Sequence, residues 1–323
     1  MTRLLSFSAA VATLIAAASC QKEVVDPVLD GDLVTRLSVE IPTEAFTRTV
    51  SMAEEADVVY YEVWDEDFDT RLFPVSKDDV NSAEVKDRVA EIYIALVKDQ
   101  RYNLIFWAQN KDCGAYSWSD LKNVNVDYSK FDENGKDVYD AFYAVEEVLA
   151  DGLDKSVYLR RPFAQLNFGA SMMETTLGDI TVTSNTVTVS DAATSFNTVE
   201  GKANKGSYVK DVTFTASAGG LVQQEEADKK DLKVGDKGYY WVAMNYLLVP
   251  SDAQATVTVD ATFMTNGGPV THKMQHVPLK KNYRTNIVGD LFTSSAHLSI
   301  IVDPNFNEPA LGGEHTDYLD DTI

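Results

Sequence analysis

Short segments in which apolar and polar residues alternate, each closed by a turn signal, recur from Leu37 to Val302 and limit this chain to a β architecture. In "DITVTSNTVTVS", Val182, Val187 and Val189 alternate with Thr and Ser around a turn expected at Ser184 and Asn185. "YVKDVTFTASA", "GYYWVAMNYLLVP", "ATVTVDATFMT" and "HLSIIVDP" continue the pattern, punctuated by Gly219 and Gly220, Pro250, and Gly267 and Gly268. Strands this short, with turns this frequent, argue for a β-sandwich. The run "YYWVAMNYLLVP" is too short to span a bilayer and holds Asn245, so it reads as a central buried strand.

The first half is less openly β. Leu37, Val39 and Ile41 share one face of an extended segment, and "ADVVYYEVW" is a second strand candidate. "EIYIALV" and "YNLIFWAQN", separated by the polar turn Lys98 to Arg101, read as an antiparallel hairpin. "SWSDLKNVNVDY" reads as helix-like or irregular, and "YDAFYAVEEV" fits strand or helix on pattern alone. Pro162 breaks "SVYLRRPFAQLNFGAS", which puts a domain boundary near Arg161. A chain of 323 residues exceeds one comfortable core, so the expectation is all-β, with two tandem sandwiches and minor helix in the first.

At the N-terminus, Arg3 precedes an apolar run too short for a membrane span and flanked like a secretion signal. It ends in "AAASC", where small residues before Cys20 resemble a relaxed bacterial lipobox with Ala17 in place of the usual Leu. Acylation of Cys20 would anchor the body without a spanning helix, each buried methylene contributing about 0.8 kcal/mol. The following "QKEVVD" resembles the export signal that carries lipoproteins of Bacteroidetes to the outer face of the outer membrane. With Cys20 acylated, Cys113 has no intrachain partner, so the fold rests on its apolar core. The expected organisation is a signal peptide over 1–19, a lipidated tether over 20–32, sandwiches over 33–160 and 161–302, and an acidic tail over 303–323.

Lys and Arg number 28 against 50 Asp and Glu, a net charge of -22 that argues against nucleic acid as a partner. His272 and His276 are spaced for a metal on a helix, but on a strand they lie roughly 13 Å apart, too far for one ion. Asp65, Asp67 and Asp69 begin like a calcium loop, yet Thr70 and Ser76 stand where Gly and Glu are needed. Asp132, Asn134 and Asp137 in "DENGKD" are similarly incomplete. No nucleophile elbow, phosphate loop or zinc-protease helix is present, so no catalytic residue and no cofactor is nominated and the protein is read as a non-enzyme. The aromatic clusters "FWAQN" and "YYWVAMNYL" read as core, with a sugar site as the alternative.

In order along the chain, the relaxed lipobox, the first strand, the loop bearing Arg48, "YNLIFWAQN", "VYLRRPFAQLNFGA" and "VPLKKNYRTNIVGDLFT" resemble the fimbrillin-like lipoproteins of Bacteroidales, the type V pilin superfamily. Arg160 to Gly169 and Pro278 to Phe292 carry the most specific likeness. The resemblance implies two transthyretin-like β-sandwich domains of Greek-key type. It also implies arginine-specific cleavage in the loop after the first strand, and polymerisation by donor-strand exchange. On that basis Cys20 is the lipidation site, Arg48 the candidate cleavage site, and Leu37, Val39 and Ile41 lie on the displaced strand, read as an edge ribbon. The implied role is a fimbrial subunit or fimbria-associated adhesin on the outer membrane or in the fimbrium. Its partners would be other fimbrial subunits, the membrane through its lipid, and a host glycan or protein. The alternative is a surface lipoprotein that binds glycans for uptake through aromatics of the second half.

Overall fold

The computed structural model describes residues 32–42, 56–74, 80–131, 137–171, 182–207, 211–217, 232–249, 254–293 and 297–303. These form strands, two 3-10 turns (Tyr128–Lys130 and Asp137–Tyr139) and no α-helix. In the first half, β1 (Asp32–Glu40) lies between β5 (Val89–Val97), antiparallel, and β10 (Lys155–Tyr158), parallel. A second sheet runs in the order β3 (Arg71–Phe73), β2 (Val58–Trp64), β6 (Arg101–Gln109), β9 (Ala141–Leu149), with β4 (Asn81–Glu84) also paired to β2. Leu37, Val39, Ile92, Leu104, Phe106, Phe142 and Val157 are buried in the core that joins the two sheets.

The second half is built the same way. A five-stranded sheet runs β16 (Leu232–Val234), β17 (Lys237–Leu248), β11 (Phe163–Ala170), β20 (Arg284–Gly289), β21 (Leu298–Asp303). Opposite it runs β15 (Asp211–Ser217), β12 (Val182–Ser190), β18 (Gln254–Thr265), β19 (Gly268–Lys280). Phe168 meets Phe263 edge-on between these sheets at 6.1 Å. Gly169 is required by packing, since a Cβ there would come within 2.7 Å of Leu232 and 2.9 Å of Tyr239.

A fifth sheet joins the halves: β7 (Tyr116–Ser117) and β8 (Asn123–Val126) pair on with β13 (Ser195–Asn197) and β14 (Lys202–Ala203). The junction is buried. Arg161 is 1% exposed, with Nε 2.8 Å from Asp140 Oδ2 and the guanidinium over the Phe142 ring. Tyr128 donates its hydroxyl proton to Ala193 O (2.8 Å) and accepts from Leu248 N (3.0 Å). Lys281 Nζ donates to Tyr143 OH and to Gly201 O.

Three expectations change. β5 and β6 are no hairpin, because β5 pairs with β1 while β6 pairs with β2 and β9. Their patterns give the reason. β5 buries one face only, whereas β6 sends Leu104 and Phe106 to one core and Ile105 and Trp107 to another, which requires an interior strand. Ser184 and Asn185 make no turn but lie within β12, where buried Asn185 Nδ2 donates to Val242 O (3.2 Å), the residue skipped at the β11–β17 bulge. The stretch read as helix-like or irregular is no helix: it is irregular from Trp118 to Lys122 and then forms β8, and "YDAFYAVEEV" resolves to β9.

Two outcomes test this junction. Arg161→Met leaves the Asp140 carboxylate buried without its cation and lowers unfolding free energy in urea by about 3–5 kcal/mol. Part of that loss returns in the double variant with Asp140→Leu. Burial pushes the Tyr128 phenol above its usual range, so the folded state holds the proton that the unfolded chain releases near pH 10. Stability that is intact below about pH 10 therefore falls as pH rises beyond it. Tyr128→Phe flattens that fall in thermal scans while costing about 1–3 kcal/mol at neutral pH for the two lost partners.

Candidate functional site

The candidate site is the slot occupied by β1. Leu37, Val39 and Ile41 point inward at 0%, 0% and 3% exposure, and Thr35 lies on the same buried row with its hydroxyl unpartnered. β1 is no edge ribbon. Over nine residues it pairs with β5, from Asp32 opposite Val97 to Glu40 opposite Val89. Over Leu37 to Glu40 it pairs also with β10, opposite Lys155 to Tyr158. Ile41 N donates to Arg88 O (2.9 Å), and Leu159 N donates to Glu40 O (3.0 Å). On the outer face Arg36 binds Glu91 at 2.7 Å and Asp154 at 3.1 Å, and these carboxylates raise its already high pKa. The strand is thus stapled from both sides in its second half and from one side in its first.

Cys20 and Arg48 lie outside the described residues. β1 reaches the described limit at Pro42, and the chain re-enters at Ala56 before β2, so 43–55 holds Arg48. Asp65 closes the turn between β2 and β3, with Oδ1 accepting from Asp69 N (2.8 Å) and Oδ2 from Thr70 N (2.9 Å). Asp132, Asn134 and the side chain of Asp137 lie outside the described residues. No metal-sized group of three or more His, Cys, Asp or Glu occurs among the described residues. His272 and His276 both lie on β19, and one ring nitrogen of His272 is 2.7 Å from Leu291 O. Cys113 is a free, half-buried thiol, and burial pushes its pKa up, away from the reactive thiolate.

A second constellation went unseen in the sequence. Tyr60, Tyr61, Glu62, Arg71, Asn81 and Trp118 line a small surface cleft of about 50 Å³ on the β2, β3 and β4 side of the first half. Glu62 organises it. Its carboxylate accepts from Arg71 NH1 (2.8 Å), Trp64 Nε1 (3.0 Å) and Leu121 N (3.0 Å). Trp118 packs on Tyr60 with centroids 5.1 Å apart. Only "VVYYE" signalled aromatic density here, because "SWSD" gave no strand pattern to place Trp118. In the second-half cluster Trp241 and Tyr246 are core, each 2% exposed, while Tyr239 and Tyr240 are half-buried.

None of the curated proteins matches this sequence. A solved protein of Bacteroides ovatus, provisionally described as a cell adhesion protein, superposes with a TM-score of 0.50 at 11% identity, over 85% of this chain and 98% of its own. A second one so described, from Bacteroides uniformis, gives 0.50 at 10% identity, over 85% and 98%. The tip fimbrial protein Mfa3 of Porphyromonas gingivalis gives 0.45 at 9% identity, over 84% and 99%. The fold is thus the all-β one that the sequence implies, and it is shared with these two Bacteroides proteins. The family's sequence pattern covers residues 27–319, and the chain belongs to the family of unknown function DUF6562.

Proposed function

We propose that this protein is a cell-surface lipoprotein, anchored through Cys20, that serves as a fimbrial subunit or fimbria-associated adhesin and assembles by strand exchange at the β1 slot after cleavage at Arg48. One observation carries the reading: β1 is both the hydrogen-bonded middle of its sheet and a wall of the first core. Leu37, Val39 and Ile41 together bury apolar surface worth about 5–9 kcal/mol, comparable to the roughly 5–15 kcal/mol that holds a whole domain. Loss of β1 would part β5 from β10 and leave their inner backbone groups without rungs. A neighbour's strand with apolar residues at every second position restores both. β21, one candidate for such a strand, pairs here with β20 from Leu298 to Asp303. The reading assigns the protein no catalytic step.

Limited digestion of the purified full chain with an arginine-specific protease should yield a new N-terminus at Thr49 and filaments by electron microscopy, and Arg48→Ala should abolish both. A Thr49 product that stays monomeric at high concentration refutes assembly through this slot. In the native host, Cys20→Ala should move the protein from the membrane fraction to the soluble one. Equal membrane retention in that variant refutes the anchor.

A further inference from the structure

Exposed apolar side chains collect at one end of the first half. Val34, Tyr93, Val97, Leu149 and Leu153, between 37% and 62% exposed, are five of the ten large hydrophobics that stand in solvent among the described residues. Backbone pairing brings them together. On the outer face of the β10–β1–β5 sheet, Asp32 lies opposite Val97, Val34 opposite Ala95 and Arg36 opposite Tyr93. Asp99 N donates to Ala150 O (2.9 Å) and Ala150 N to Gln100 O (2.9 Å), which sets Leu149 beside the turn that follows Val97. Arg36 holds Asp154 at 3.1 Å, which sets Leu153 beside β1. The five therefore ring the end of the sandwich at which β1 begins.

We infer that this end is a membrane-docking surface, seated on the bilayer while β1 is in place. The inference rests on the reading of Cys20 as the lipidation site. That reading fixes which end faces the lipid, because the chain from Cys20 to Asp32 reaches at most about 43 Å when fully extended and joins the body here. The other end of the sheet, where Glu40 lies opposite Val89 and Tyr158, is roughly 27 Å further along β1. Acyl chains hold a soluble body firmly only with a second attachment, and apolar tips with a tyrosine among them supply one at the level of the head groups.

Charge permits the contact. The chain carries -22, and an acidic rim would be repelled by anionic head groups. Here the rim carboxylates are matched by cations. Glu91 and Asp154 share Arg36, Asp151 pairs with Lys155 at 3.1 Å, and Glu147 pairs with Arg101. Lys98 and Asp99 offset each other in the turn. The shape of the surface selects lipid over protein. Apolar tips spread around an end make no packed centre of the kind a protein interface needs, whereas a fluid surface fits them without one. Val34 belongs to β1, so departure of that strand removes the anchor and part of the docking surface together.

The test supplies the tether chemically, so native acylation does not enter it. The full chain carrying Cys113→Ser is coupled through Cys20 to a maleimide phospholipid in phosphatidylcholine vesicles. Hydroxyl-radical oxidation is then read residue by residue by mass spectrometry. Oxidation of Val34, Tyr93, Val97, Leu149 and Leu153 should drop several-fold relative to the same chain free of vesicles. Tyr158, as exposed as Tyr93 but at the far end of the sheet, should stay unchanged. Val97→Glu combined with Leu153→Glu, both at solvent positions, should abolish the drop at unchanged Tm. The inference is overturned if the five are oxidised equally with and without vesicles, if Tyr158 is protected as strongly, or if the double variant keeps the protection. Protection that appears without vesicles and grows with protein concentration also overturns it, since a second copy is then the occupant. The fate of the Cys20→Ala chain in the host is scored separately, so a missing anchor and a missing docking surface are told apart.

Discussion

The β3–β2–β6–β9 sheet is a wall shared by two cores, and the rest of the molecule depends on it. From β6, Leu104 and Phe106 enter the first sandwich while Ile105 and Trp107 enter the core that continues into the second half. β9 does likewise with Phe142 on one side and Tyr143 on the other. A wall gripped from behind cannot fold inward when something leaves the front. This bears directly on strand exchange, because the value of an open slot is that it stays open. Were β1 to leave, the facing sheet would still be held by Trp107, Tyr143 and the Arg161–Asp140 pair, which favours a gap that keeps the shape of a strand.

The segments legible in the sequence were those whose pattern had one cause. β1 and β18 alternate because each is a strand with one buried side, and a period of two reports that directly. β6 and β17 show nearly continuous apolar runs, which identify interior strands but not which strands they join. Pairing between β5 and β6 was the natural guess from a four-residue turn, yet the loop is an arch between sheets. What distinguished it was already present: β5 places Glu91, Tyr93 and Ala95 on an open face, while no residue of β6 beyond Arg101 is exposed. Two strands with such different demands cannot be neighbours in one layer. Asn185 misled for another reason. Its amide answers a carbonyl freed by a bulge on the opposite sheet, a cause that lies 57 positions away in sequence.

The candidate sites divided along the same line. The aliphatic row of β1 was readable because burial is periodic, and even so its central place was not, since parallel pairing with β10 links residues more than a hundred positions apart. The cleft was invisible because it is made of one strand face, one edge strand and a loop, held in place by a carboxylate that reads as an ordinary charge. Glu62 joins β2 to Arg71 of β3 and to Leu121 beyond β7 in a single buried group. The slot and the cleft lie on different sheets of the first half.

The slot also explains why exchange would need a cut at all. While β1 remains joined to β2 through 43–55, it competes for its place as an intramolecular strand, at an effective concentration on the order of millimolar. A donor supplied at micromolar concentration starts about a thousandfold behind, roughly 4 kcal/mol, whatever contacts it makes. Scission in 43–55 would leave every described rung of β1 in place. It changes only how the resident strand is supplied. Once both strands arrive from outside, contacts decide, and β1 holds β10 over four residues only, leaving its Asp32 to Arg36 half paired on one side. β10 is itself only four residues long and all four are already paired with β1, so a competing donor would have to gain its advantage beside β5 or in the apolar contacts of the slot.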